Sequence, residues 1–214
     1  MINHNKSKIK EILRLGIQNQ KEKNFKEAIK NYENVIKIDP SIVFAYHNLG
    51  LVYVEIENID LAKKNFLLAI KIDPLFIYSY INLGILFQNE GQKEKAIECF
   101  EKSLSFLPAD NEPAHRNLGA ALTYQGCFQD ALRHTAQAIQ INPHSAEAHR
   151  NHATLMLLHE DFEQGWGEYE WRIQCKDFNL PEYLYPRYAG GSLCGKSLLL
   201  HAEQGLGDSI HFIR

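Results

Sequence analysis

The chain has 214 residues, 45% of them hydrophobic and 23% charged, which suits one or two ordinary globular domains. Its net charge of −3 argues against a general nucleic-acid binder, and no apolar run approaches the roughly 18 residues of a membrane-spanning helix. Cys99, Cys127, Cys175 and Cys194 stand far apart, with no CxxC pair and no zinc-ligand spacing, which predicts free thiols in a reducing compartment. The stretch MINHNKSKIKEILRLGIQNQ holds no apolar segment of signal-peptide length, so a cytoplasmic location is expected. Charge is uneven: residues 1–39 carry nine Lys/Arg against five Asp/Glu, a surplus of four that leaves −7 for the rest. A solvated, Lys-rich helix face is the plain reading, and a basic surface for an acidic partner is the alternative.

Residues 1–8 are polar and expected to be disordered. From Ile9 a unit of 34 residues repeats, each with apolar positions at helical spacing in two segments around a short turn. Each unit is therefore expected to be a pair of antiparallel helices, A and B. The first, 9–42, places Ile9, Ile12 and Leu15 on helix A and Ala28, Ile29, Tyr32 and Ile36 on helix B. Ile12 and Asn19 stand where later units carry aromatic residues, and the polar character suits an end cap. Units 43–76 and 77–111 are the most regular, Asn111 being one inserted residue. In unit 112–145, Pro113 falls in the first turn, where a helix tolerates it, and Thr135 replaces a Phe. Unit 146–179 departs furthest, with His152-Ala153 for Leu-Gly, Gly165 for the central Ala, Arg172 for a small residue and Asp177 for Pro. Its second helix, DFEQGWGEYEWRIQ, puts Trp166, Tyr169 and Ile173 on one face and Trp171 off it. That face either closes the last unit or, with Trp171, docks onto the next part of the chain. Residues 180–196, punctuated by Pro181, Pro186, Gly190, Gly191 and Gly195, predict a linker. Residues 197–202 read as a buried strand, 203–207 as a loop, and Asp208 as the N-cap of a helix. A lone strand and a helix stub cannot bury themselves, so 197–214 reads as the opening of an α/β domain in a longer protein.

In the second unit Tyr46, Leu49, Gly50 and Tyr53 are followed by Ala62, Phe66, Ala69 and Pro74. Leu-Gly recurs at Leu15-Gly16, Leu83-Gly84 and Leu118-Gly119, with Ala28, Ala96 and Ala131 and with Pro40, Pro108 and Pro143 on the same beat. This layout resembles the tetratricopeptide repeat. The resemblance implies an all-α fold, a right-handed superhelical solenoid whose A helices line the concave face. A mid-helix Gly costs about 1 kcal/mol relative to Ala, and is tolerated where it admits a close neighbour. Proline ends helix B by pushing the preceding residue out of the helical region. No pair buries its apolar faces alone, so stability comes from stacking.

Directly before each Leu-Gly position stand Asn48, Asn82, Asn117 and Asn151, with Arg14 in the first unit. One Asn per A helix at one position predicts a ladder, and its amide suits the N–H and C=O of an extended peptide without reading sequence. This is similar to the asparagine ladder of O-linked N-acetylglucosamine transferase, which holds protein substrates by their backbone; the alternative is bonding to neighbouring helices. Four rungs at a net ~0.5–1.5 kcal/mol each give roughly millimolar affinity at best once ordering is subtracted. Added pockets are needed, and Phe44, Tyr78, Arg116 and Arg150 are the candidates on the same face. The expected partner is a protein or peptide on the concave face, with self-association as a further expectation. Neither metal nor cofactor is expected: His149 and His152 lie three apart, but no Cys or carboxylate stands at ligand spacing, and His115 and His149 take the packing place of Tyr46.

The stretch HAEQGLGDSIHFIR combines a strand, a Gly-rich loop and a helix start, where backbone N–H groups face an anion. It fails the GxGxxG spacing, because Ile210 stands in the third glycine's place. Taken with Gly165, Trp166, Glu168, Tyr169, Glu170, Trp171 and Arg172 and with GKSLLLHAEQGLGD, it resembles bacterial proteins that join tetratricopeptide repeats to a heptosyltransferase-like glycosyltransferase. That resemblance implies a Rossmann-like catalytic part using a nucleotide sugar without metal. Asp208 would be the base on the acceptor hydroxyl, and Gly205 and Gly207 would let substrate approach the backbone. An ordinary N-cap is the other reading of Asp208. The chain would then recruit partners or substrates for such an enzyme; the rival is a stand-alone scaffold.

Overall fold

The prolines set where the second helix of each pair stops. Asp39, Asp73, Leu107 and Asn142, each immediately before a proline, adopt φ of −147°, −131°, −144° and −131°, outside the helical range. In this computed structural model residues 2–107 and 111–176 are described. They form α1 (Ile2–Lys21), α2 (Phe25–Ile38), α3 (Val43–Glu55), α4 (Ile59–Ile72), α5 (Ile77–Asn89), α6 (Lys93–Phe106), α7 (Glu112–Gln125), α8 (Phe128–Ile141), α9 (Ala146–Leu158) and α10 (Phe162–Tyr169), then a 3-10 turn, Glu170–Gln174. Odd-numbered helices are the A helices, and each helix packs on the next in sequence. No strand occurs among the described residues, and none of their helices is long and apolar enough to cross a membrane.

Every A-to-B turn is built alike. Lys23, Glu57, Gly91, Gly126 and Glu160 take φ between 60° and 77°, and the next N–H bonds the carbonyl five residues back, as in Asn58 N to Tyr53 O at 2.8 Å. Only two of the five are glycine, so Lys23, Glu57 and Glu160 hold a conformation that costs an L-residue roughly 1 kcal/mol or more. The A helices begin on side-chain caps where the sequence supplies them: Asn111 Oδ1 accepts from Ala114 N at 3.3 Å and Ser145 Oγ from Ala148 N at 3.3 Å. The inserted Asn111 is thus the cap that starts α7.

The core lies between pairs rather than within them. Ala28 and Tyr32 of α2 pack with Leu49 and Val52 of α3; Ala62 and Phe66 of α4 with Leu83 and Leu86 of α5; Ala96 and Phe100 of α6 with Leu118 and Ala121 of α7. Tyr32, Phe66 and Phe100 are fully buried. The mid-helix glycine serves this seam: a Cβ on Gly50 would lie 2.6 Å from the Phe66 ring, and one on Gly84 2.6 Å from Phe100.

Two expectations are corrected. The helix at the start begins at Ile2, well before Ile9, so residues 2–8 are helical rather than disordered. The last B helix is not one continuous helix. α10 stops after eight residues and tightens into the 3-10 turn, because Gly165 and Gly167 weaken its helix propensity. The linker 180–196, the strand 197–202, Gly205, Gly207 and Asp208 lie outside the described residues.

Candidate functional site

Helical spacing puts Phe44, Asn48, Leu51 and Glu55 on one stripe of α3, and Tyr78, Asn82 and Ile85 on the matching stripe of α5. Two rings stand out on it: Phe44 is 55% exposed and Tyr78 56%. Both lean edge-on against Phe76, which caps α5 and is buried, at centroid distances of 5.1 and 5.6 Å. Beneath lies His47, 5.1 Å from Phe76 and 5.6 Å from Phe66, its Nδ1 hydrogen-bonded to the fully buried Ser79 Oγ at 3.0 Å. Burial pushes the His47 pKa down to about 4, so the floor of this aromatic shelf is uncharged at neutral pH.

The four ladder residues take equivalent places, all half-buried, one per A helix. They are not equally available. Asn82 Nδ2 donates to Tyr78 O at 2.9 Å, within its own helix, which uses one donor and leaves the rest of the amide. Asn117 Nδ2 is buried and has no hydrogen-bond partner among the described residues, so an incoming acceptor there would relieve an unpaired donor. The two arginines are already committed. Arg116 Nε lies 3.1 Å from Glu112 Oε1, which also accepts from Ser145 Oγ at 2.7 Å, tying α7 to the cap of α9; Arg150 is engaged as well. Arg14 pairs with Glu11 at 2.7 Å, so the first unit offers no free guanidinium at the ladder position.

Sequence reasoning missed a cleft of about 420 Å³ between α1 and α3, lined by Ile17, Gln20, Lys21, Lys23, Asn48, Leu51 and Glu55. The stripe spacing from Phe44 to Glu55 was the available signal. Gln20 is satisfied at both ends, accepting from Tyr32 Oη at 3.1 Å and donating to Glu55 at 3.0 Å. Burial first, then the Glu55 charge, push the Tyr32 phenol up to about 12.

At the far end, His149 is held by Glu168 and by Pro143 O at 2.9 Å and stacks flat on Trp171, rings 4.1 Å apart and 7° from parallel. Trp171 therefore packs back onto its own repeat, while Trp166 stays 42% exposed. His115 and His149 are buried at the packing position, and His115 Nδ1 meets His134 Nδ1 at 2.9 Å. Among the described residues no group of three or more His, Cys, Asp or Glu is arranged to hold a metal.

Family models match along the chain: a TPR repeat over 21–57 and tetratricopeptide repeats over 45–74, 77–110 and 113–145. The Hsp70-Hsp90 organising protein of Plasmodium falciparum is 30% identical over 166 residues, 74% of this chain and 28% of that protein. The chain spans roughly a quarter of the length of the curated relatives it matches. Among solved structures, PilF of Pseudomonas aeruginosa aligns with a TM-score of 0.73 at 17% identity, over 80% of this chain and 78% of that one. YrrB, described as a TPR protein with an unusual peptide-binding site, aligns at 0.59 and 21% identity, over 76% and 84%. With the family matches covering more than half of the chain and helix pairs stacked as a solenoid, this is a tetratricopeptide-repeat protein.

Proposed function

We propose that the chain binds an extended protein or peptide segment along the stripe of its A helices. The observation that carries this is one half-buried Asn at the same place in four successive A helices, Asn48, Asn82, Asn117 and Asn151, beside the exposed rings of Phe44 and Tyr78. The amides supply backbone hydrogen bonds, and the rings supply the apolar area that four rungs lack. Relatives whose names speak of organising chaperones, or of a peptide-binding site, support the reading. Arg116 and Arg150 contribute less, because both are engaged internally. Fluorescence anisotropy against arrays of unstructured peptides tests it. Asn82→Ala with Asn117→Ala is expected to weaken every bound peptide by a similar factor, about threefold to thirtyfold. Phe44→Ala with Tyr78→Ala should cost about tenfold and act only on peptides bearing apolar side chains. If both double variants bind as the parent does, this face is not the site.

The finer reading is that the module presents acceptors to a glycosyltransferase domain, with Asp208 as base and Gly205 and Gly207 at the substrate loop. The sequence resemblance supports it, and self-association on the same repeats is the rival use. In the full-length protein Asp208→Asn should abolish sugar transfer while leaving peptide binding intact. Unchanged transfer would make Asp208 an N-cap alone.

A further inference from the structure

The aromatic shelf and the α1–α3 cleft lie on one stripe of α3 and share Asn48, which stands between them in sequence and lines the cleft. Their characters differ. The shelf is Phe44 and Tyr78 over Phe76, with no charge beneath it. The cleft has an apolar floor, Ile17 and Leu51, and a cationic mouth, Lys21 and Lys23. Both lysines are exposed, and neither forms an ion pair with a described residue. The two acidic groups nearby are occupied: Glu55 accepts from Gln20, and Glu22 accepts from Gln18 at 3.0 Å and Asn24 at 3.3 Å. They reduce the positive charge there without pairing with either lysine.

Spacing links the two features. Phe44 and Leu51 are separated by roughly 10 Å along α3, and Phe44 and Glu55 by roughly 16 Å, from a rise of 1.5 Å per residue. An extended peptide advances about 3.3 Å per residue, so side chains three to five positions apart reach both features.

We propose that this groove selects a peptide carrying a bulky apolar residue and an acidic residue three to five positions apart. The apolar side chain rests on Phe44 and Tyr78, and the carboxylate meets Lys21 and Lys23 above the cleft. Asn48 holds the backbone between them. The proposal rests on the peptide-binding reading and adds the class of ligand.

The test uses labelled, otherwise Ala/Ser peptides bearing Leu and Glu four positions apart, with Leu/Gln, Leu/Lys and Ala/Glu versions as comparators, followed by anisotropy at low and high salt. The Leu/Glu peptide is expected to bind about threefold to tenfold tighter than Leu/Gln, an advantage that shrinks at high salt. In the variant Lys21→Glu with Lys23→Glu the preference should reverse toward Leu/Lys. This variant is expected to fold: both side chains are exposed, and Glu57 and Glu160 already hold the Lys23 backbone conformation in their own turns. Equal affinity for Leu/Glu and Leu/Gln in the parent overturns the proposal and leaves the ladder reading standing. Binding of Ala/Glu as tight as Leu/Glu removes the shelf from it and overturns the two-anchor form. Loss of the Leu/Gln affinity in Asn82→Ala with Asn117→Ala, measured in parallel, shows that the ladder reading survives on its own.

Discussion

Phe66→Ala is expected to lower stability by about 3–5 kcal/mol, the usual cost of emptying a fully buried aromatic site. The ring is the joint between the second and third pairs, packed with Ala62 below and Leu83 and Leu86 of the next A helix above. In a solenoid such a loss is local, so unfolding should change from one transition to a broader one as the halves uncouple. Gly50 sharpens the test. A Cβ there would lie 2.6 Å from Phe66 Cε1, so Gly50→Ala alone should destabilise despite the roughly 1 kcal/mol of helix propensity it gains. In the Phe66→Ala background the clash is gone, and Gly50→Ala should become stabilising. Urea denaturation of the four proteins gives the coupling directly. Additive effects would show that Gly50 is there for some reason other than this ring.

That pairing shows how far the sequence could be read. The 34-residue beat, the prolines and the Leu-Gly pairs identify the helix pairs, because each recurring residue answers a backbone or steric demand that recurs with it. Asp39, Asp73 and Asn142 are extended for the reason their following prolines predict. What spacing could not show is which atom a small residue makes room for. Gly50 admits an aromatic ring from its own pair, not a neighbouring helix backbone. The break after α10 comes from two glycines within three residues, a cumulative weakness that a match to the repeat pattern conceals.

The candidate site was legible as positions and not as availability. Spacing points Asn82 at a ligand or a neighbouring helix, yet one of its donors goes to its own helix, a local option open to any Asn four residues after a carbonyl. Arg116 is neutralised by Glu112 one turn earlier, a pair visible in the sequence once helix register is known. The His115–His134 contact, by comparison, joins two helices and has no local signature.

Lowering the pH should destabilise the fold through its buried histidines. Burial pushes His47 down to about 4, and it pushes His134 down to about 4 as well, helped by the His115 and Arg133 charges and opposed by Asp130. His152 is lowered by burial, with Glu168 opposing and His149 adding. The unfolded chain holds these groups near 6.5, so between about 6.5 and about 4 it binds protons that the folded chain refuses. Their contribution is complete above pH 6.5 or so and is lost progressively as pH falls toward 4. His47 alone accounts for about 3 kcal/mol over that window; His134 and His152, nearer to solvent, add less. The geometry agrees: His47 Nδ1 is bonded to Ser79, which has no exposure, and His115 and His134 meet Nδ1 to Nδ1, which requires one of the two to accept. Denaturant melts at a series of pH values test this against a variant with His47→Phe and Ser79→Ala, which removes both polar partners together. The variant should lose about 2–3 kcal/mol less than the parent between about pH 7 and pH 4.5. Parallel curves for the two proteins would place the acid sensitivity elsewhere and free His47 from any part in it.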